Sequence, residues 1–162
     1  MGLMDKTDEQ VRRLVLYINQ MDGAYYYFSR KLGYKENLLY LLYALDDGMP
    51  HSQTEICRDW MIPKTTVNTN VKELVAAGYA TLEHGECREK LITLTESGRA
   101  YAEELLGQIY AAERAAMDQT AKRFSTAFVD AVAYFTKTLC QELDQRALND
   151  SISYNREEKE NI

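Results

Sequence analysis

Histidine and cysteine are scarce in this 162-residue chain, which contains two histidines and three cysteines. The cysteines show no CxxC spacing, and two histidines are too few to complete the usual ligand sets of a zinc site. We therefore predict no metal site and no cofactor. Cys57 and Cys140 lie among apolar residues of predicted helices, so we expect both to be small core residues.

The third cysteine, Cys87, lies on a polar turn beside Arg88. A neighbouring guanidinium favours a reactive thiolate, whereas Glu86 and Glu89 oppose it. A solvated loop cysteine is the favoured interpretation, and the sequence leaves open whether Cys87 senses redox state.

Long apolar runs are also missing. The longest covers residues 38–45, far short of the roughly 18 residues that a membrane helix needs. The N-terminal segment has no apolar region of the secretory type. We therefore expect a cytoplasmic protein that does not associate with membranes.

Positive charge is not in excess, because the formal net charge is −6. This balance argues against a protein that coats nucleic acid indiscriminately, but it permits a specific binder with one basic face. The chain also lacks a nucleophile motif and a glycine-rich phosphate loop, and its histidines, His51 and His84, are isolated from paired carboxylates. We predict that the protein is not an enzyme.

Residues 52–98 contain the element order of a winged helix-turn-helix module. Ser52 and Glu55 form a capping box that opens a short helix. Pro63 suits the first position of the next helix, which Gly78 ends. Two alternating strands follow at residues 79–83 and 90–94, and residues 84–86 supply the turn between them. The predicted fold class is therefore mainly α with a small antiparallel β wing, combined with a helical dimerisation region.

Long helices flank this module. Thr7 and Gln10 form a capping-box pattern at the start of the first helix, and Gly33 ends it. Thr95 caps a second long helix, and a last helix covers residues 126–145. The apolar stripe of the first helix comprises Val11, Leu14, Val15, Ile18 and Met21.

These helices carry more apolar surface than one small module covers, so we expect a two-fold homodimer. A monomeric six-helix bundle is the alternative. The predicted organisation has an N-terminal dimerisation helix, a DNA-binding lobe, C-terminal dimerisation helices and a polar tail expected to fray. These segments are residues 1–34, 35–98, 99–148 and 149–162.

The helix that begins at Pro63, here called the recognition helix, has an unusual outward face. Threonines and asparagines are poor helix formers, but their hydroxyl and amide groups bond base edges and phosphates. Lysines suit the phosphate backbone. The predicted DNA contacts of this helix are Lys64, Thr65, Thr66, Asn68, Thr69, Asn70 and Lys72. A solvated face of low helix propensity is the alternative.

The hairpin after the recognition helix supplies the second predicted contact. Arg88 lies at its tip, where a guanidinium can enter a narrow minor groove. Lys90 follows on the same strand and can reach a phosphate. The alternative for Arg88 is a solvated loop charge.

The sequence resembles the multiple antibiotic resistance regulator (MarR) family of bacterial transcription regulators. The resemblance covers most of the chain, and its most specific part is Glu86-Cys-Arg88 followed by Leu94-Thr95-Glu-Ser-Gly98, which is similar to the family's Asp-x-Arg and Leu-Thr-x-x-Gly wing signature. Glu86 stands where the family has Asp. The resemblance implies a homodimeric regulator, most often a repressor, that binds a pseudo-palindromic operator. It also implies release of DNA by a small, often phenolic or anionic, effector.

Tyrosines cluster in and after the first helix, where the resemblance places the ligand pocket. A tyrosine pairs an apolar ring with a hydroxyl, which suits a planar phenolic guest. The predicted pocket residues are Tyr26, Tyr40, Tyr43 and Trp60. We therefore predict a ligand-responsive transcription regulator; a winged-helix protein-interaction module that binds no DNA is the alternative.

Overall fold

The computed structural model describes residues 5–84 and 89–160, with side chains up to residue 147. Its helices are α1 Lys6–Leu32, α2 Glu36–Leu45, α3 Gln53–Asp59, α4 Lys64–Ala76, α5 Glu96–Phe124 and α6 Ala127–Glu160. Its strands are β1 His51–Ser52, β2 Ala80–His84 and β3 Lys90–Leu94. The predicted fold class, mainly helical with a small antiparallel wing, is confirmed.

The chain divides into two compact units, Met1–Ile109 and Tyr110–Ile162. The first contains the helix-turn-helix and the sheet, and the second contains the end of α5 and all of α6. The predicted division into four functional segments stays a prediction.

Helix α2 supplies the centre of the first unit's core. Five of its ten residues are buried. Around them pack buried residues from α3, α4, β3 and α5. These are Ile56, Val67, Val71, Leu74, Ile92, Leu94, Ala102, Leu105, Leu106 and Ile109.

The sheet has the strand order β1-β3-β2, and both pairs are antiparallel. The hairpin strands lie within one residue of their predicted positions. Strand β1 was not predicted, because two residues are too few to show an alternating pattern. In it, Ser52 pairs with Leu91 of β3.

Helix ends follow the predicted signals with two exceptions. The Ser52 hydroxyl accepts from the Glu55 N–H at 3.2 Å, and the Glu55 carboxylate accepts from the Ser52 N–H at 2.8 Å, so the capping box is confirmed. Gly33 and Gly78 end α1 and α4 with φ of 82° and 76°.

The first exception is the start of α1. The predicted capping box at Thr7 is wrong, because the helix already begins at Lys6, with Asp5 in the capping position. The second is Pro63, which is the residue before α4 rather than its first residue. Both errors are small, since helix ends are defined only to within one or two residues.

The segment Leu94-Thr95-Glu-Ser-Gly98 joins the wing to α5. The Thr95 hydroxyl donates to the Gly78 carbonyl at 2.8 Å and accepts from the Gly98 N–H at 3.0 Å. The Thr95 N–H donates to the Tyr79 carbonyl at 3.0 Å. Thr95 therefore caps α5, as predicted, and also ties it to the end of α4.

Helix α6 is longer than predicted. It continues to Glu160, whereas the sequence predicted an end near residue 145. The predicted fraying of residues 149–162 stays a prediction. Cys140 is exposed and Cys57 is half-buried, so the expected core position of Cys140 is wrong for the single chain.

Both long flanking helices have apolar side chains that remain accessible. On α1, Val11, Val15, Ile18 and Met21 are at least 40% exposed. On α6, Val129, Val132, Leu139 and Leu143 are at least 41% exposed. Among the described residues, no helix combines the length and the apolar character needed to cross a membrane.

Candidate nucleic-acid interface

The outer face of α4 is polar and accessible, as the predicted recognition helix requires. Lys64, Thr65, Thr69 and Lys72 are exposed, and Thr66 and Asn68 are half-buried. The opposite face packs into the core through Val67, Val71 and Leu74. Six of the seven residues predicted for this helix therefore lie on an accessible side of it.

Asn70 is the exception, because only 4% of its surface is exposed. We predicted it among the DNA contacts of an outward face, and the accessible position that this implies is wrong. Helical geometry places residue 70 between the inner and outer faces, and α2 packs against α4. Neither the helix angle nor the residue type reveals such a neighbour, so the sequence could not predict this burial.

The hydroxyl of Thr69 is already engaged within the helix. It donates to the carbonyl oxygen of Thr65 at 2.9 Å. Such back-bonding is common for threonine inside helices. The outward contacts left to Thr69 are therefore its methyl group and the free lone pairs of the hydroxyl oxygen.

A pocket of about 230 Å³ opens between the start of α2 and the outer side of α4. All of its lining residues have polar side chains, and they come from two segments that lie 28 or more positions apart in the chain. The lining consists of Lys35, Asn37, Thr65, Thr66, Thr69 and Asn70. We refer to it below as the α2–α4 pocket.

Lys35 and Asn37 were not singled out from the sequence. Lys35 is the N-cap residue of α2 and is exposed, as is Asn37. The available signal was the polar sequence Lys-Glu-Asn directly before an apolar helix, which marks a helix start. The position of this helix start beside α4 depends on tertiary packing.

One of the two wing residues predicted to contact DNA lies among the described residues. Lys90 is exposed, begins β3 and pairs with His84 of β2. Arg88 and Cys87 lie outside the described residues. The DNA contact of Arg88 therefore stays a prediction, and the redox role of Cys87 stays an open question.

Three of the four residues predicted to form a ligand pocket lie together in an aromatic cluster. The ring of Trp60 lies 5.3 Å from that of Tyr43 and 6.4 Å from that of Tyr40. Tyr25 joins them, with its ring 6.2 Å from Tyr40. Tyr26 instead contacts Tyr27 at 5.4 Å, and its hydroxyl accepts from Arg30 at 3.2 Å.

Tyr40 is the polar member of this cluster. Its hydroxyl donates to Asp22 at 3.3 Å and to Glu36 at 3.4 Å. Burial raises the pKa of Tyr40 above its usual range, and the charges of Glu36 and Asp22 raise it further. The phenol is therefore held neutral as a hydrogen-bond donor. Whether the cluster binds a ligand stays a prediction.

No group of metal-binding side chains occurs in the described part of the chain. The described features are instead two short helices joined by a tight turn, an exposed polar second helix, and an antiparallel hairpin with a third short strand. This combination defines a winged helix-turn-helix protein.

Comparison with known sequences then identifies a similar family. A sequence model of the MarR family matches residues 37–89, which run from the first turn of α2 through the helix-turn-helix and β2. The predicted resemblance to the MarR family is therefore confirmed for this part of the chain. A search of curated protein sequences found no match.

Solved structures of MarR family regulators share the fold. A regulator from Neisseria meningitidis is similar with a TM-score of 0.72 and 23% identity, over 85% of this chain and 98% of that one. The regulator NadR, solved in complex with 4-hydroxyphenylacetate, gives a TM-score of 0.68 and 13% identity, over 85% and 99%.

A third similar structure is BpsR of Bordetella bronchiseptica, a protein whose DNA binding is regulated by 6-hydroxynicotinic acid. It gives a TM-score of 0.54 and 23% identity, over 86% of this chain and 99% of that one. At these identities the likeness establishes the fold. The family and its structural neighbours are transcription regulators rather than enzymes.

Proposed function

We propose that this protein is a homodimeric, sequence-specific DNA-binding regulator, acting most simply as a repressor. The observation that carries the proposal is the outer face of α4, where exposed hydroxyls and lysines stand on a helix whose other side is locked into the core. A helix held in this way can enter a major groove without rearrangement of its scaffold. The neighbouring hairpin would contact the flanking DNA backbone through the exposed Lys90.

The exposed apolar residues of α1 and α6 support the homodimer. A monomer rarely leaves such contiguous apolar helix faces in water, because their burial is favourable by about 25 cal/mol per Å². A two-fold dimer covers like surfaces with like surfaces. It also presents two copies of α4, which can occupy successive major grooves roughly 10 base pairs apart.

A small effector is the third part of the proposal. The neutral Tyr40 phenol, the rings of Tyr43 and Trp60, and the tyrosine-rich end of α1 suit a planar aromatic or anionic molecule. Two similar regulators are known with hydroxylated aromatic acids. An effector would release DNA only to the extent that it binds the released state more tightly than the DNA-bound state.

The proposal is tested by selecting binding sites from a library of random duplexes. We expect an enriched inverted repeat that binds two chains, with affinity that falls steeply with salt, by a log–log slope of about −0.9 for each phosphate contacted. An unselected duplex of the same length is the control.

The rival function, a protein-interaction module, predicts a different result. In that case no sequence is enriched, and no DNA affinity exists for salt to weaken. Enrichment without symmetry would support DNA binding but contradict the dimeric arrangement.

A further inference from the structure

The α2–α4 pocket contains a buried donor without a partner. Asn70 lines this pocket, and its buried side-chain nitrogen, Nδ2, has no hydrogen-bond partner among the described residues. Asn70 is 96% buried by surface area. An unpaired buried donor is costly, so native proteins seldom keep one without a ligand or other use for it.

A second feature of the pocket is the start of α2. The first N–H groups of a helix have no partner within it and carry the positive end of the helix dipole. Within the described structure, the N-cap residue Lys35 makes no side-chain capping bond, so it does not cover these groups. Lys35 itself lines the pocket, and its side chain carries a full positive charge.

The remaining lining residues are neutral. Thr65, Thr66 and Asn37 offer hydroxyl and amide groups, and the lining contains no carboxylate. The nearest acidic residue in sequence, Glu36, accepts a hydrogen bond from Tyr40 one turn further along α2. The pocket therefore combines several donors with positive charge, and its chemistry matches a phosphate group.

We infer that the α2–α4 pocket is a phosphate-binding site, filled by one backbone phosphate of the bound duplex. Lys35 and the N-terminal N–H groups of α2 would neutralise the phosphate, and Asn70 would donate to one of its oxygens. That the phosphate belongs to DNA rests on the proposed function, because a free phosphate ion has the same chemistry.

The position of the pocket favours the duplex as the source. Thr65 and Thr69 belong both to the pocket lining and to the outer face of α4. A phosphate seated there would lie directly beside the bases that α4 reads. Because Asn70 is fixed by burial, this contact would set the depth and register of α4 in the groove.

The first experiment uses the duplex obtained by selection. Single phosphates are replaced, one at a time, by uncharged methylphosphonates. We expect one position in each half-site where this replacement weakens binding by about tenfold, the loss expected for a hydrogen bond to a charged group.

Variants then identify the protein group that contacts this phosphate. In Lys35→Met and in Asn70→Leu, the same methylphosphonate should no longer weaken binding, because its partner is already lost. Lys31→Met is the matched control, since Lys31 is an exposed lysine in the last turn of α1 and does not line the pocket. This control should retain the full effect.

If the methylphosphonate penalty persists unchanged in both pocket variants, the site is overturned. If no duplex is ever selected, the proposed function fails, and titration with inorganic phosphate decides the site alone. A saturable shift of the Asn70 side-chain amide signals, lost in Lys35→Met, would support a site for free phosphate. No shift would overturn the inference.

Discussion

The backbone of Gly98 lies against the carbonyl group of Tyr79 so closely that a Cβ atom at residue 98 would overlap its oxygen. This contact lets the first turn of α5 sit on Tyr79, the residue directly before β2. It explains why the wing signature ends in glycine, because any other side chain would push α5 away from the hairpin.

Gly98→Ala should therefore be strongly destabilising. We expect the free energy of unfolding to fall by about 3 kcal/mol, the upper range for overpacking, because the obstacle is backbone and cannot rotate away. Gly107→Ala is the control within the same helix, where an added Cβ meets nothing within 4 Å. It should raise stability by roughly 0.5–1 kcal/mol. Urea unfolding measures both, and equal effects would contradict the close contact.

Asn70→Leu should stabilise the protein in a buffer free of phosphate. The substitution removes a buried donor that has no partner among the described residues, and it keeps a similar volume. We expect the free energy of unfolding to rise by about 1 kcal/mol. Asn68→Leu, at a half-buried position of the same helix, should change it by no more than about 0.5 kcal/mol. A large loss of stability in Asn70→Leu would show that the amide is structural.

Glu55 should make folding stability depend on acid pH. The Ser52 N–H and hydroxyl hold the pKa of the Glu55 carboxyl below its ordinary value of 4.5. A lowered folded-state pKa stabilises the fold above the unfolded pKa, and this contribution is lost as pH falls through the folded value. Glu55→Gln keeps an acceptor but cannot titrate. Between pH 7 and pH 3 the thermal unfolding temperature should therefore fall less in the variant than in the unaltered protein. Parallel plots of unfolding temperature against pH would contradict this role of Glu55.

Thr69 should read a base through its methyl group. Its hydroxyl donates to the Thr65 carbonyl, so Thr69→Val keeps a methyl group at this position and removes a hydroxyl whose hydrogen is already engaged. We expect Thr69→Val to retain the selected base preference and Thr69→Ala to lose it at one position of each half-site, by about 1 kcal/mol or more. Repeating the site selection with each variant measures this. If both variants keep the same base preference, a residue other than Thr69 reads that base.

The apolar stripe of α1 should be part of the dimer interface. Val15 and Ile18 are 43% and 40% exposed in the single chain. Ile18→Glu would bury an unpaired charge in the dimer and should yield monomers that have lost DNA affinity. Gln20→Glu adds the same charge to the opposite side of α1 and should remain dimeric. Sedimentation at matched concentrations distinguishes these outcomes, and a dimeric Ile18→Glu protein would move the interface elsewhere.

Much of the DNA-binding lobe could be predicted from local signals. Ser52 and Glu55 bond each other's backbone within four residues, and Gly78 ends a helix through its own φ, so both features are visible in sequence. The burial of Asn70 and the approach of Lys35 to α4 were not visible, since both depend on how α2 packs against a helix more than 25 positions away. The two-residue strand β1 carried no periodicity. The end of α6 was missed because polar residues can continue an exposed helix as readily as end it.

Ser52 belongs at once to strand β1 and to the cap of α3, and it is almost completely buried. Its backbone pairs with the hairpin strand β3, and its side chain sets the direction in which α3 departs. A tilt of the hairpin on a curved or narrowed duplex would therefore be passed through β1 to the helix-turn-helix. The preference of the wing for DNA shape and the base preference of α4 would then depend on each other. A substitution in the wing should alter the base preference of α4, and a substitution in α4 should alter the shape preference of the wing.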